Sequence, residues 1–149
     1  MASSQLGLVV PTILLVEDND DDILLTRLTF QENGYADNLH VVHDGTEALD
    51  FLHRRAPYVQ APRPDLVLLD LNLPRKDGRD VLAELKSDPE LRRIPVAVLT
   101  SSEAEEDILK AYHLHANCYI RKPLEMARFH EVMHQLHEFW FHTVTLPPK

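Results

Sequence analysis

Two hydrophobic patterns alternate along the chain. Short apolar runs occur at Thr12 to Val16, Leu39 to Val42, Leu66 to Leu69, Val96 to Leu99 and Cys118 to Ile120. They have strand length and are rich in β-branched residues. Continuous runs such as LVLL and VAVL fit central parallel strands covered by helices on both faces. Between them, apolar residues recur at one-turn spacing: Ile23, Leu24 and Leu28; Ala48, Leu49 and Leu52; Val81, Leu82 and Leu85; Ile108, Leu109 and Tyr112; and finally Phe129, Val132, Met133, Leu136 and Trp140. Each such stripe predicts a helix docked on the sheet. The βα alternation therefore predicts an α/β fold around a doubly wound, five-stranded parallel sheet. The Pro-rich segment RRAPYVQAPRP, Arg54 to Pro64, reads as a surface connection, and the ends up to Val10 and from Thr143 read as extensions outside the core.

With 149 residues, 44% of them hydrophobic, the chain has the length and apolar content of one domain. A formal charge of −9 argues against a nucleic-acid or anionic-membrane surface and favours protein partners. Cys118 is the only cysteine, so neither an internal disulfide nor a multi-cysteine zinc site is available. It reads as a small core residue. No secretion signal is recognisable in MASSQLGLVV and no apolar run approaches the ~18 residues of a membrane span, which points to a cytoplasmic protein.

The chemistry collects where strands stop. Glu17 and Asp18 directly follow ILLV, and Asp70 directly follows LVLL. Ligands of an open parallel sheet bind outside the carboxyl ends of its strands, and adjacent first and third strands would bring these acids together. Clustered carboxylates repel unless a cation compensates, and an oxygen-only ligand set suits Mg²⁺ acting with a phosphoryl group. Asp20, Asp21 and Asp22 read instead as first-turn acids that cap the next helix. Thr100 follows VAVL, and Lys122 follows CYIR, so a hydroxyl and an ammonium complete an anion site opposite the acids.

The segments ILLVEDN, LVLLDLNLPRKDG, VAVLTSS and YIRKP closely resemble the receiver domains of bacterial two-component response regulators, over roughly Thr12 to Trp140. The resemblance implies the (βα)5, flavodoxin-like fold, with Asp70 as the phosphorylated aspartate and Glu17 and Asp18 as the acid pair. It further implies that Asn72 offers its backbone carbonyl to Mg²⁺, that Thr100 is the switch hydroxyl, that Lys122 pairs with the phosphate, and that Tyr119 is the rotating aromatic. Lys122–Pro123 would match the family's cis-proline. Lys76, where most receivers place an apolar residue before DG, departs from the pattern and puts the packing of that loop in doubt. LNLPRKDG, the long loop before the third strand, YHLHANCYIRK and the EFW and TLP closing motifs resemble a narrower group, the regulators paired with phytochrome-type histidine kinases.

Other signals were weighed. HEVMH, His130 to His134, formally matches the zinc-protease pattern H-E-x-x-H, but it lies on a nearly terminal helix with a strong burial stripe, so it reads as a partly exposed His-rich face; His137 extends the same side, which leaves weak adventitious metal binding as the alternative. GxxxxGK[ST] and GxGxxG are both absent, which argues against ATP or NAD as ligands. An aspartate-nucleophile phosphohydrolase would carry DxD after the first strand and a cap insertion, neither of which is present. A pseudo-receiver that only binds partners would not need the acid, Thr and Lys set. The expectation is a phosphoacceptor rather than an enzyme with an external substrate, taking phosphate from a histidine kinase and signalling through protein contacts, with no output module after the last helix. The apolar weight of Phe139, Trp140 and Phe141 predicts a symmetric homodimer through the face of the fourth helix, fifth strand and fifth helix, with Phe141 and the TLPP tail reaching across it; the alternative is that Trp140 and Phe141 simply close the monomer's core.

Overall fold

The computed structural model describes residues 11–148; the predicted extension up to Val10 lies outside them. Strands β1 (Ile13–Val16), β2 (Leu39–Val42), β3 (Leu66–Leu69), β4 (Val96–Thr100) and β5 (Cys118–Arg121) alternate with helices α1 (Asp20–Glu32), α2 (Gly45–Leu52), α3 (Gly78–Ser87), α4 (Glu105–His113) and α5 (Met126–Glu138). All pairings are parallel, in the order β2-β1-β3-β4-β5. The order reverses at β1, so the crevice between β1 and β3 is the switch point where a doubly wound sheet binds its ligands.

Period-two alternation sorts each strand's side chains to opposite faces. Leu14, Val16, Val67 and Leu69 pack with α2, α3 and Ala111 of α4 on one side; Ile13, Leu15, Leu66 and Leu68 pack with α1 and α5 on the other. The predicted stripes of α2 and α3 are buried throughout. Two others turn out differently. In α1, Ile23 faces the core with Thr26, Thr29 and Phe30, while Leu24 is 55% exposed and Leu28 is exposed as well. The hydroxyls of Thr26 and Thr29 donate to the Asp22 and Leu25 carbonyls, which satisfies them inside the core. In α4 the inward residue is the small Ala111, leaving Leu109 64% exposed and Tyr112 on the surface.

The carboxyl end of α5 also departs from expectation. His137 belongs to no exposed histidine face: its ring is fully buried, stacked on Tyr35 at 5.0 Å between centroids and against Phe141 at 4.3 Å, with the edge of Phe30 at 5.7 Å. Burial, reinforced by His142 and His134, holds its pKa down to about 4, so the imidazole is neutral at physiological pH. Trp140 and Phe141 pack on the α1–α5 core instead of projecting outward. The following tail lies at the amino end of the sheet, where Pro147 and Pro148 meet Arg63, Arg93 and Pro95. The packing of Trp140 and Phe141 is the alternative reading, in which the two rings close the core of their own chain. No helix among the described residues is long and apolar enough to cross a membrane.

Candidate functional site

The sheet's hydrogen bonding continues one residue past its central strands. The Glu17 amide donates to the Val42 carbonyl at 3.0 Å and the Asp70 amide to the Val16 carbonyl at 3.1 Å. This fixes the two acids side by side at the switch point. Carboxylate oxygens of Glu17, Asp18 and Asp70 lie within 4.8 Å of one another; Glu17 and Asp70 are buried and Asp18 is exposed. The three border an open cleft of about 630 Å³, which Asn72, Ser101 and Lys122 also line.

Lys122 reaches this cluster from the end of β5. Its Nζ donates to Glu17 Oε1, to Asp22 Oδ2 at 2.8 Å and to Asp70 Oδ2 at 3.1 Å. Burial alone would lower its pKa, but the bond to Asp22, the charge of Asp70 and the bond to Glu17 outweigh burial and hold it above its ordinary value. Glu17 is shifted upward to about 7, chiefly by burial and against the pull of Lys122, with Asp70 adding repulsion. Its second oxygen accepts from the amides of Asp18 and Asn19. The other oxygen of Asp70 accepts from the Asn72 amide at 3.2 Å. The donor set around the cleft is oxygen-only, as a hard divalent cation requires.

Asp22 is a correction to its reading as a capping acid. The N-cap of α1 is Asn19, whose side chain accepts from the Asp22 amide at 3.0 Å, and the Asp22 carboxylate points to Lys122 instead. Nothing within the run of three acids distinguishes it by sequence; only the arrival of Lys122 does. Lys122–Pro123 is trans, the ordinary state of an X-Pro bond, and the cis bond among the described residues is Ala56–Pro57.

The loop carrying Asp70 is clamped by two glycines. A Cβ on Gly78 would sit 2.2 Å from the Asp70 carbonyl oxygen, and one on Gly45 would sit 1.9 Å from that of Lys76. Only residues without a side chain allow α3 and α2 to approach so closely. The backbone of Lys76 thus packs under α2, while its ammonium stays at the surface, 3.6 Å from Glu84. The doubt raised by a lysine here is resolved, because the position's packing is done by its main chain.

Thr100 is fully buried at the end of β4, where its carbonyl accepts from the Lys122 amide at 2.7 Å and its hydroxyl faces the Ser102 amide at 3.5 Å. Tyr119 donates its hydroxyl to the Ser102 carbonyl at 2.9 Å. Sequence reasoning missed the bonds that surround this pair. Ser102 Oγ donates to Asp107 at 2.6 Å, and Arg79 joins Asp107 at 2.7 Å to Asp77, the N-cap of α3. Arg79 and Asp107 occupy ordinary polar helix positions, so their pairing carries no sequence signal.

The sequence model of the response regulator receiver domain matches residues 13–134. Response regulator Rcp1 of Synechocystis sp. is 45% identical over 135 residues, which span 91% of this chain and 92% of Rcp1. The crystal structure of the phosphorylated cyanobacterial phytochrome response regulator RcpA superposes with a TM-score of 0.91 at 47% identity, covering 94% of this chain and 100% of RcpA. That of Mn²⁺-bound Rcp1 gives 0.87 at 43% identity, covering 93% and 99%. With the family's model spanning its whole sheet and this likeness running along nearly all of its length, the chain belongs to the response regulator receiver domain family.

Proposed function

We propose that this receiver takes a phosphoryl group from the phosphohistidine of a sensor histidine kinase onto Asp70, at a site that holds Mg²⁺, and signals through altered protein contacts. The observation that carries the reading is the setting of Asp70: a buried carboxylate at the switch point, bonded to Lys122 and the Asn72 amide and flanked by two further acids. A carboxylate oxygen of Asp70 attacks phosphorus, forming the O–P bond as the P–N bond to the kinase imidazole breaks; the imidazole leaves with that electron pair. Lys122, already 3.1 Å from Asp70, then pairs with a phosphoryl oxygen. Glu17, Asp18, Asp70 and the Asn72 carbonyl would hold the cation, whose charge offsets the negative charge gathering on the phosphoryl oxygens. Hydrolysis of the acyl phosphate returns Asp70 to its carboxylate, so the chemistry is confined to the chain's own phosphorylation and dephosphorylation. Manganese in Rcp1 supports a divalent cation; Mg²⁺ is our choice from the hard, oxygen-only donors.

The likeness to RcpA, a phytochrome response regulator, supports a phytochrome-type kinase as the donor over other histidine kinases, and with it a cytoplasmic location. The switch runs from Thr100, whose hydroxyl is drawn to the phosphoryl oxygen, to Tyr119, whose ring turns into the vacated space. Tyr119 lines a groove on the α4–β5–α5 face with Tyr112 and Val132, and there we place a symmetric homodimer contact across which the TLPP tail reaches, while Phe141 stays on the core of its own chain.

Phosphotransfer from a purified phytochrome-type kinase tests the core of this reading. Hydroxylamine-sensitive label is expected on the wild type in Mg²⁺, none in chelator and none on Asp70→Asn, whose amide lacks the nucleophilic oxyanion. Label on Asp70→Asn at the wild-type rate would remove Asp70 from the role.

A further inference from the structure

Helix α5 does not end as an α-helix. Phe139–Thr143 form a π-helical turn, closed by the Val144 amide donating to the Phe139 carbonyl at 3.0 Å. Such turns are uncommon and concentrate at functional sites. Here the turn brings His142 over His137, five residues earlier, with ring centroids 5.6 Å apart. Neither ring nitrogen of the buried His137 has a hydrogen-bond partner. Its neighbours Phe30, Tyr35 and Phe141 hold the ring by their aromatic surfaces. A buried imidazole with both nitrogens unanswered carries a cost, and a bound ion would remove the share borne by the lone-pair nitrogen.

A ring nitrogen of His137, a carboxylate oxygen of Glu138 and a ring nitrogen of His142 lie within 4.8 Å of one another. We propose that these three side chains bind a transition-metal ion of the zinc type. Two imidazoles and one carboxylate form a borderline-soft set that suits zinc rather than Mg²⁺, and they leave a fourth, tetrahedral position for water or another ligand. Bonds of about 2 Å require the ligand atoms to draw closer than 4.8 Å. Glu138 and His142 are exposed and can swing inward, while His137 is a fixed anchor. The site is separate from the acid cleft: α5 starts beside the cleft and its 13 residues carry the chain about 20 Å away. It is also separate from the H-E-x-x-H pattern, whose His130 bonds to Glu32 at 3.1 Å and whose His134 joins no ligand cluster among the described residues. An ion here would fasten the π-helical turn to the α1–α5 face.

Calorimetric titration of Zn²⁺ into the full chain, with millimolar Mg²⁺ present, tests the site; Co²⁺ serves as a spectroscopic probe of tetrahedral nitrogen ligation. One equivalent is expected to bind at micromolar Kd or tighter, with the visible bands of tetrahedral Co²⁺. His142→Ala removes an exposed ligand without touching the core and is expected to weaken binding at least tenfold. His130→Ala, on the same helix but bonded to Glu32 and outside the cluster, should leave the isotherm unchanged. Wild-type binding weaker than about 100 μM, equal affinity in His142→Ala, or a loss that follows His130 instead would each overturn the proposal.

Discussion

Lys122 faces three carboxylates with a single charge, and that imbalance governs the residues around it. Replacing it with Met leaves buried Glu17 and Asp70 without their cation, a loss that typically costs about 3 kcal/mol and is partly relieved when Glu17 takes up a proton. Urea denaturation of Lys122→Met is expected to show a decrease of that order, and a midpoint equal to the wild type would refute the imbalance. Asp18 differs in kind. It is exposed and outside the Lys122 contacts, so Asp18→Asn should keep the melting temperature in chelator at or slightly above that of the wild type, through relief of like-charge repulsion. Millimolar Mg²⁺ should raise the melting temperature of the wild type and not that of Asp18→Asn. A wild type indifferent to Mg²⁺ would count against the cation site. The places of Glu17, Asp18, Asp70, Thr100 and Lys122 at one edge of the sheet were legible because each closes or follows an apolar strand. Asp22 was not, because its role depends on a lysine 100 residues away in sequence.

At the scale of elements, the same rule separates what periodicity reveals from what it hides. The runs of β1 to β5 match the observed strands to within a residue at either end; the three central strands, β1, β3 and β4, are buried on both faces, which is why their runs are nearly all apolar. The inward faces of α1 and α4 were hidden because Thr26 and Thr29 count as polar although their hydroxyls are satisfied by their own helix, and because Ala111 is outweighed by exposed Leu109. The glycine clamp was equally silent, since sequence alone does not say what a missing Cβ makes way for. It yields a sharp expectation. In Gly78→Ala the new methyl meets the backbone of Asp70 and Leu71, neither of which is a flexible side-chain end, so α3 must retreat and carry the Asp70 loop with it. A stability loss of about 2 kcal/mol and a slower phosphotransfer are expected together. Unchanged phosphotransfer with a full stability loss would show that the clamp holds the helix but not the acid.

At the scale of the whole molecule, the exposed apolar residues left after folding decide where a second copy can bind. Phe141 is spent on the α1–α5 core, so Phe141→Ala should cost about 2 kcal/mol of stability and leave assembly unchanged. Ile108 and Tyr112, turned outward because Ala111 faces the sheet, line the groove of the α4–β5–α5 face that Tyr119 would alter. A symmetric contact through this face places the apolar residues at its centre, with Arg121 and Arg128 lining the same groove. Each copy carries a formal charge of −9, so moderate salt should strengthen the dimer by screening the repulsion between copies. Light scattering at micromolar concentration should show a dimer that phosphorylation favours and that Tyr112→Glu weakens at least tenfold. Thr100→Ala should still accept phosphate yet lose the shift, because the hydroxyl that draws Tyr119 inward is gone. A wild type that stays monomeric with and without phosphate ends the dimer reading, while a dimer whose phosphate response survives in Thr100→Ala would move the switch elsewhere, with the Arg79–Asp107–Ser102 bonds as the next route to test.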